Sequence, residues 1–134
     1  MFLAASVLVL SSCAVIPSQS PEERVAARAQ ARVDFLMAAD WEAAYAFATP
    51  GYRSTENVGR YGTRWSGANM WKAAEIKQVD CEAPPGGDPG EAQVCNVVMS
   101  VTYKAVGYGD IDAILHERWL LLDREWYLYQ DLSV

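Results

Sequence analysis

The sequence predicts one α+β domain, with helices in its first half and four consecutive antiparallel strands in its second. Three observations carry that expectation. Apolar residues recur at helical spacing from Val25 to Met37. From Trp71 onward the alternation changes to period two. Two cysteines, Cys81 and Cys95, stand equidistant from Asp88, in the middle of a loop rich in proline and glycine.

Length and composition set the frame. The chain has 134 residues, 51% hydrophobic and 21% charged, enough for one buried core without a metal or several disulfides. Its formal charge of −6 argues against a nucleic-acid partner, because phosphate binding needs a basic face. With one histidine, a histidine pair or multi-histidine metal site is excluded. No phosphate loop, Ser/His/Asp set or metal cluster appears in the pattern, so no cofactor is expected.

The first ten residues, MFLAASVLVL, are uncharged and apolar. They are too few to span a bilayer, which takes roughly 20 apolar residues. They suit the core of a signal peptide over residues 1–12. Leu10-Ser11-Ser12-Cys13 resembles a bacterial lipobox, so Cys13 is the expected lipid attachment site. The basic residues that usually precede such a run are absent, consistent with a start further upstream. Residues 13–19, with Pro17, Ser18 and Gln19, read as a lipidated tether, and residues 20–134 as the domain. Ala14 follows the cysteine where an inner-membrane retention signal would place aspartate. The expected location is therefore the bacterial cell envelope, held by lipid to the outer membrane and facing the periplasm.

Ser20-Pro21-Glu22-Glu23 is a helix start: Ser20 caps, Pro21 takes the first position and Glu23 completes a capping box. The helix should run to about Ala39. Arg24, Arg28 and Arg32 lie four apart, which reads first as a solvated flank. Arg32 lies nearest the apolar face and is the candidate for an anion or a buried carboxylate. Asp40 caps an expected second helix from Trp41 to Ala48, ended by Thr49-Pro50-Gly51. A short helix near Thr55 to Tyr61 is expected, with Gly59, Gly62 and Gly67 suggesting loop around it.

Trp71 to Cys81 reads as a strand with a bulge, because Ala74 and Ile76 are out of phase with Val79 and Cys81. Val94 to Val106 is the clearest half-buried strand. Ile111 to Leu122 and Trp126 to Leu132 follow, joined at Asp123-Arg124. A two-residue turn there sets Leu121 opposite Trp126 and Trp119 opposite Leu128. A simple hairpin sets Cys81 opposite Cys95, and an oxidising compartment lets the pair bond, worth about 3 kcal/mol for a loop of this length.

The order of these features resembles the NTF2-like (SnoaL-like) superfamily, and more closely its small proteobacterial lipoproteins of unassigned role. The resemblance rests on the long first helix, Asp40-Trp41-Glu42-Ala43-Ala44-Tyr45, Thr49-Pro50-Gly51-Tyr52-Arg53, and the strand endings Glu117-Arg118-Trp119 and Glu125-Trp126-Tyr127-Leu128. It implies an NTF2-like cone, N-terminal helices packed on a curved four-stranded antiparallel sheet around a cavity. It also implies dimers through the sheet face. Many relatives have Asp-Gly at the last hairpin, where this chain has Asp123-Arg124.

The superfamily holds both enzymes and inert binding domains, so the residues must decide. Ala113, Leu115, Glu117, Trp119 and Leu121 share a strand face, which makes Glu117 a carboxylate among apolar neighbours. Such a group needs a cation or a proton. Two roles compete. Glu117 is a structural acid paired with Arg32, Arg53 or Arg64, in a set with Arg32 and Trp119. Or Glu117 and Tyr103 are catalytic candidates, a pocket acid or base with a hydrogen-bond donor. His116 falls on the opposite face and reads as a sheet-surface residue. The leading expectation is a non-enzymatic envelope lipoprotein binding a partner protein or an apolar small molecule. The alternative is an isomerase or dehydratase using a cavity carboxylate.

Overall fold

The computed structural model describes residues 18–131. The expected signal peptide, Cys13 and most of the tether lie outside the described residues, as does the end of the expected last strand. Helix α1 spans Pro21–Met37, α2 Trp41–Tyr45, α3 Pro50–Thr55 and α4 Val58–Trp65. Strands β1 (Trp71–Glu82), β2 (Val94–Ala105), β3 (Gly109–Leu122) and β4 (Glu125–Tyr129) form one antiparallel sheet in sequence order.

The capping box forms as read: Ser20 N donates to Glu23 Oε2 at 2.9 Å and Glu23 N to Ser20 Oγ at 3.2 Å. The buried stripe of α1 is Val25, Ala29, Arg32, Val33 and Leu36. It lies across β1 and β2. Burying these side chains against Val97, Met99 and Trp119 supplies the main driving force, about 1.5–3 kcal/mol for each large apolar residue.

Strand β1 carries the expected bulge, and a second one. The register slips between Ile76 and Gln78 and again between Trp71 and Ala73. Inserting Lys77 on one strand only lets Ile76 pair with Met99 while Val79 pairs with Val97. Apolar residues of opposite parity thereby face the same core. Cys81 pairs with Cys95 across the ladder, and the two are disulfide-bonded.

Four local expectations need correcting. The second helix stops at Tyr45 rather than Ala48, because the next residues have better partners in the sheet. Leu128 N donates to Phe47 O at 2.8 Å and Thr49 N to Leu128 O at 3.2 Å. This segment covers the outer edge of β4, which would otherwise expose unpaired backbone groups. Thr49-Pro50-Gly51 also starts a helix: Thr49 caps α3, accepting from Tyr52 N at 3.3 Å. The expected helix near Thr55 to Tyr61 is two helices broken at Glu56 and Asn57, and Gly59 and Gly62 lie within α4. A Cβ on Gly62 would approach the Trp41 ring to 3.0 Å, so its role is close packing of α2 on α4. The last strand ends at Tyr129, earlier than expected.

The β3–β4 turn has two residues, with Leu121 opposite Trp126 and Trp119 opposite Leu128 as read. Asp123 and Arg124 both have positive φ, 48° and 67°, as a type I′ turn requires. A non-glycine residue is strained there by about 1–2 kcal/mol, partly offset by the entropy glycine loses. Arg124→Gly should therefore raise stability by about 0.5–1 kcal/mol, read as a higher midpoint in urea.

Candidate functional site

The arginine row on α1 is not a solvated flank. Its three members reach successive points of the β3–β4 hairpin. Arg24 Nη2 donates to Arg124 O at 3.2 Å. Arg28 Nε donates to Trp126 O at 2.7 Å, its Nη1 lies 3.1 Å from Glu125, and its guanidinium lies over the Phe47 ring. Arg32 is 1% exposed and donates through Nη1 to Glu117 Oε1 at 2.5 Å. A spacing of four residues advances each arginine by about 6 Å along the helix, so the row tracks a neighbouring strand.

Glu117 is as sequestered as its partner, with 6% of its side chain exposed. Its second oxygen, Oε2, accepts from Trp119 Nε1 at 3.0 Å. Arg32 Nε donates to the Tyr61 hydroxyl at 3.1 Å, and the guanidinium lies over the Trp65 ring, 4.6 Å from its centroid. The structure thus brings Arg32, Glu117 and Trp119 together. Arg53 and Arg64, the other candidate partners, donate instead to Ala48 O and Asp131 O. Burial of two charges is costly unless they are paired and their remaining valences satisfied. Here Trp119 bonds Glu117 Oε2, Tyr61 accepts from Arg32 Nε and the Trp65 ring faces the guanidinium, while Arg32 Nη2 has no partner.

Tyr103 is not part of this group. It pairs with Ile111, six positions along β3 from Glu117 and hence about 20 Å away. Tyr103 lines a separate shallow pocket with Gly67, Met70, Trp71 and Lys104. His116 lies exposed on the outer sheet face, near Ile114, which is 55% exposed.

A cleft of about 590 Å³ opens beside the pair, within the roughly 300–1,000 Å³ typical of small-molecule sites. It exists because β4 is short. Its last paired residue, Tyr129, faces Arg118, so Glu117 has no neighbouring strand on that side. Glu117, Arg118, Trp65, Leu128 and Gln130 line the notch. Tyr61, Trp65 and Gln130 were not singled out in the sequence. Tyr61 and Trp65 lie four apart with Val58 one turn before, a helical face that the surrounding glycines obscured.

Burial pushes the Tyr61 hydroxyl above its ordinary pKa of 10.0, and the opposing pull of Arg32 does not cancel it. A raised folded pKa gives stability that is complete below the unfolded value and lost as pH rises through the folded one. Stability should therefore fall above pH 10.0, and Tyr61→Phe should show a shallower alkaline decline in urea titrations.

Removing one partner of the buried pair leaves the other charge uncompensated. Glu117→Ala and Arg32→Ala should each cost about 3–5 kcal/mol. The two losses should not add in the double variant, which urea unfolding of all three proteins would show.

No family model matches this chain, and no curated protein matches its sequence. Solved structures do match in fold. A SEC-C motif protein from Rhodopseudomonas palustris superposes with a TM-score of 0.55 at 10% identity, covering 86% of this chain and 79% of its own. An NTF2-like protein from Campylobacter jejuni gives 0.57 at 9% identity, covering 78% of this chain and 96% of its own. A SEC-C motif protein from Psychrobacter arcticus gives 0.57 at 12% identity, covering 100% and 77%. At such identities the likeness establishes architecture alone.

Proposed function

We propose, from the NTF2-like fold of N-terminal helices on a four-stranded antiparallel sheet, that the chain is a bacterial envelope lipoprotein whose domain binds a partner protein or an apolar small molecule without catalysing a reaction. One observation carries the non-enzymatic reading. Both oxygens of Glu117 are occupied, by Arg32 Nη1 and Trp119 Nε1. A general base must reach the substrate proton, and these bonds pin a carboxylate whose side chain is only 6% exposed. The lipobox-like Leu10-Ser11-Ser12-Cys13 supports anchorage through Cys13, with the outer membrane facing the periplasm as its site. The Cys81–Cys95 disulfide accords with an oxidising compartment. Association of two copies through the outer sheet face, where Ile114 is exposed, belongs to the same proposal.

The runner-up, an isomerase or dehydratase using Glu117, draws on one fact: Glu117 lines a cleft. Deuterium exchange at the α-carbon of a ketone such as cyclohexanone, followed by NMR in heavy water, separates the two. The binding reading expects no acceleration by the protein. Acceleration that disappears in Glu117→Gln, with the fold intact by circular dichroism, would establish the enzyme instead. Mass spectrometry of the membrane fraction tests the anchor: an acylated Cys13 is expected, and an unmodified Cys13 in the mature protein overturns it.

A further inference from the structure

Among the described residues, four buried side-chain nitrogens have no hydrogen-bond partner: Arg32 Nη2, Trp65 Nε1, Gln130 Nε2 and Trp126 Nε1. Trp126 belongs to the core beneath Cys95 and Trp119. Of the other three, two belong to residues of the notch beneath β4 and the third lies behind its wall. Trp65 and Gln130 line it, and Arg32 stacks on Trp65 and pairs with Glu117, which also lines it. A buried donor left unsatisfied is costly, so three so close to one cleft require an explanation. All three are N–H donors, and their chemistry selects a group that only accepts.

We propose that this notch binds the carboxylate of a small organic acid, whose apolar body lies against Trp65 and Leu128. The assignment rests on the small-molecule form of the binding reading above and names its ligand class. Charge narrows the choice. Arg32 and Arg118 bring two positive charges, and Glu117 and Asp131 bring two negative ones. The two signs cancel, so no excess positive charge is present to hold a dianion such as phosphate, and the single charge of a carboxylate is left to the unpaired N–H donors. Volume fits as well, since the cleft of about 590 Å³ admits an aromatic or short alkyl acid. Trp65 and Gln130 line the cleft with part of each side chain exposed, while their nitrogens are buried and must turn toward the cleft to meet a ligand. Glu117 holds Arg32 by Nη1, and Nη2 stays without a protein partner beside Trp65 and Glu117, which line the cleft.

The test is NMR of the ¹⁵N-labelled full chain, reading the Trp65 indole N–H resonance, which Trp65→Phe identifies by its loss. Benzoate, phenylacetate and octanoate are the probes, with benzyl alcohol as the neutral control and inorganic phosphate as the dianion control. At least one carboxylate should move the resonance saturably. Gln130→Leu, which leaves the Arg32–Glu117 pair untouched, should weaken that binding about tenfold. Unchanged affinity in Gln130→Leu, with native thermal stability, overturns the site. Benzyl alcohol or phosphate binding as tightly as the acids overturns the ligand class and leaves the binding reading standing. No response to any probe overturns the carboxylate site, and binding of a separate apolar panel then decides the broader reading.

Discussion

Arg32 and Glu117 join the first helix to the third strand at the centre of the molecule. Arg32 occupies a position that the helical period assigns to the core, beside Val33 and one turn from Ala29 and Leu36. A guanidinium is tolerated there because Glu117 meets it from the opposite layer and Trp119, Tyr61 and Trp65 surround the two. Desolvation of both ions is expensive, and close pairing with hydrogen bonds at every polar atom but Arg32 Nη2 offsets it. The pair therefore restricts how α1 can sit on the sheet. With Arg32 at Glu117, a four-residue step places Arg28 at Trp126, and another places Arg24 at Arg124. One buried contact fixes a row of three.

The sheet adapts to that arrangement by local irregularity. Two bulges in β1 keep Ala74, Ile76, Val79 and Cys81 turned to the helices although their spacing is uneven. At the other edge β4 is brief, and the Phe47–Thr49 segment takes up the hydrogen bonds that a longer neighbour would supply. Its early end also brings a wholly internal ion pair to the floor of a cleft. The disulfide closes the ends of β1 and β2, with Cys95 opposite Trp119.

The matched structures share architecture at 9–12% identity and so say little about chemistry. What this chain does must be read from its own side chains. Each oxygen of Glu117 accepts a hydrogen bond from within the fold, which is the ground of the binding reading. The unpartnered donors around the notch specify the kind of group that would be recognised. Structural necessity and ligand selection meet in one residue, Arg32, which uses two of its nitrogens for the fold and keeps the third unused.

The sequence by itself determined the two-part α+β order, the capped first helix, the bulge in β1, the cysteine pairing, the last-hairpin register and the inward face of Glu117. Each depends on residues near in sequence or on a period of two or 3.6, and such signals survive without long-range contacts. It also narrowed the partners of Glu117 to three arginines without choosing between them. That choice waited on tertiary structure, because it depends on where α1 lies across β3, 85 positions away in the chain. The same holds for the end of α2, which the sheet edge decides against helical propensity, and for Tyr103, which the register places about 20 Å from the site it was expected to serve. The notch exists only because β4 stops at Tyr129, and its donors come from α1, α4 and the segment after β4, elements that nothing local brings together.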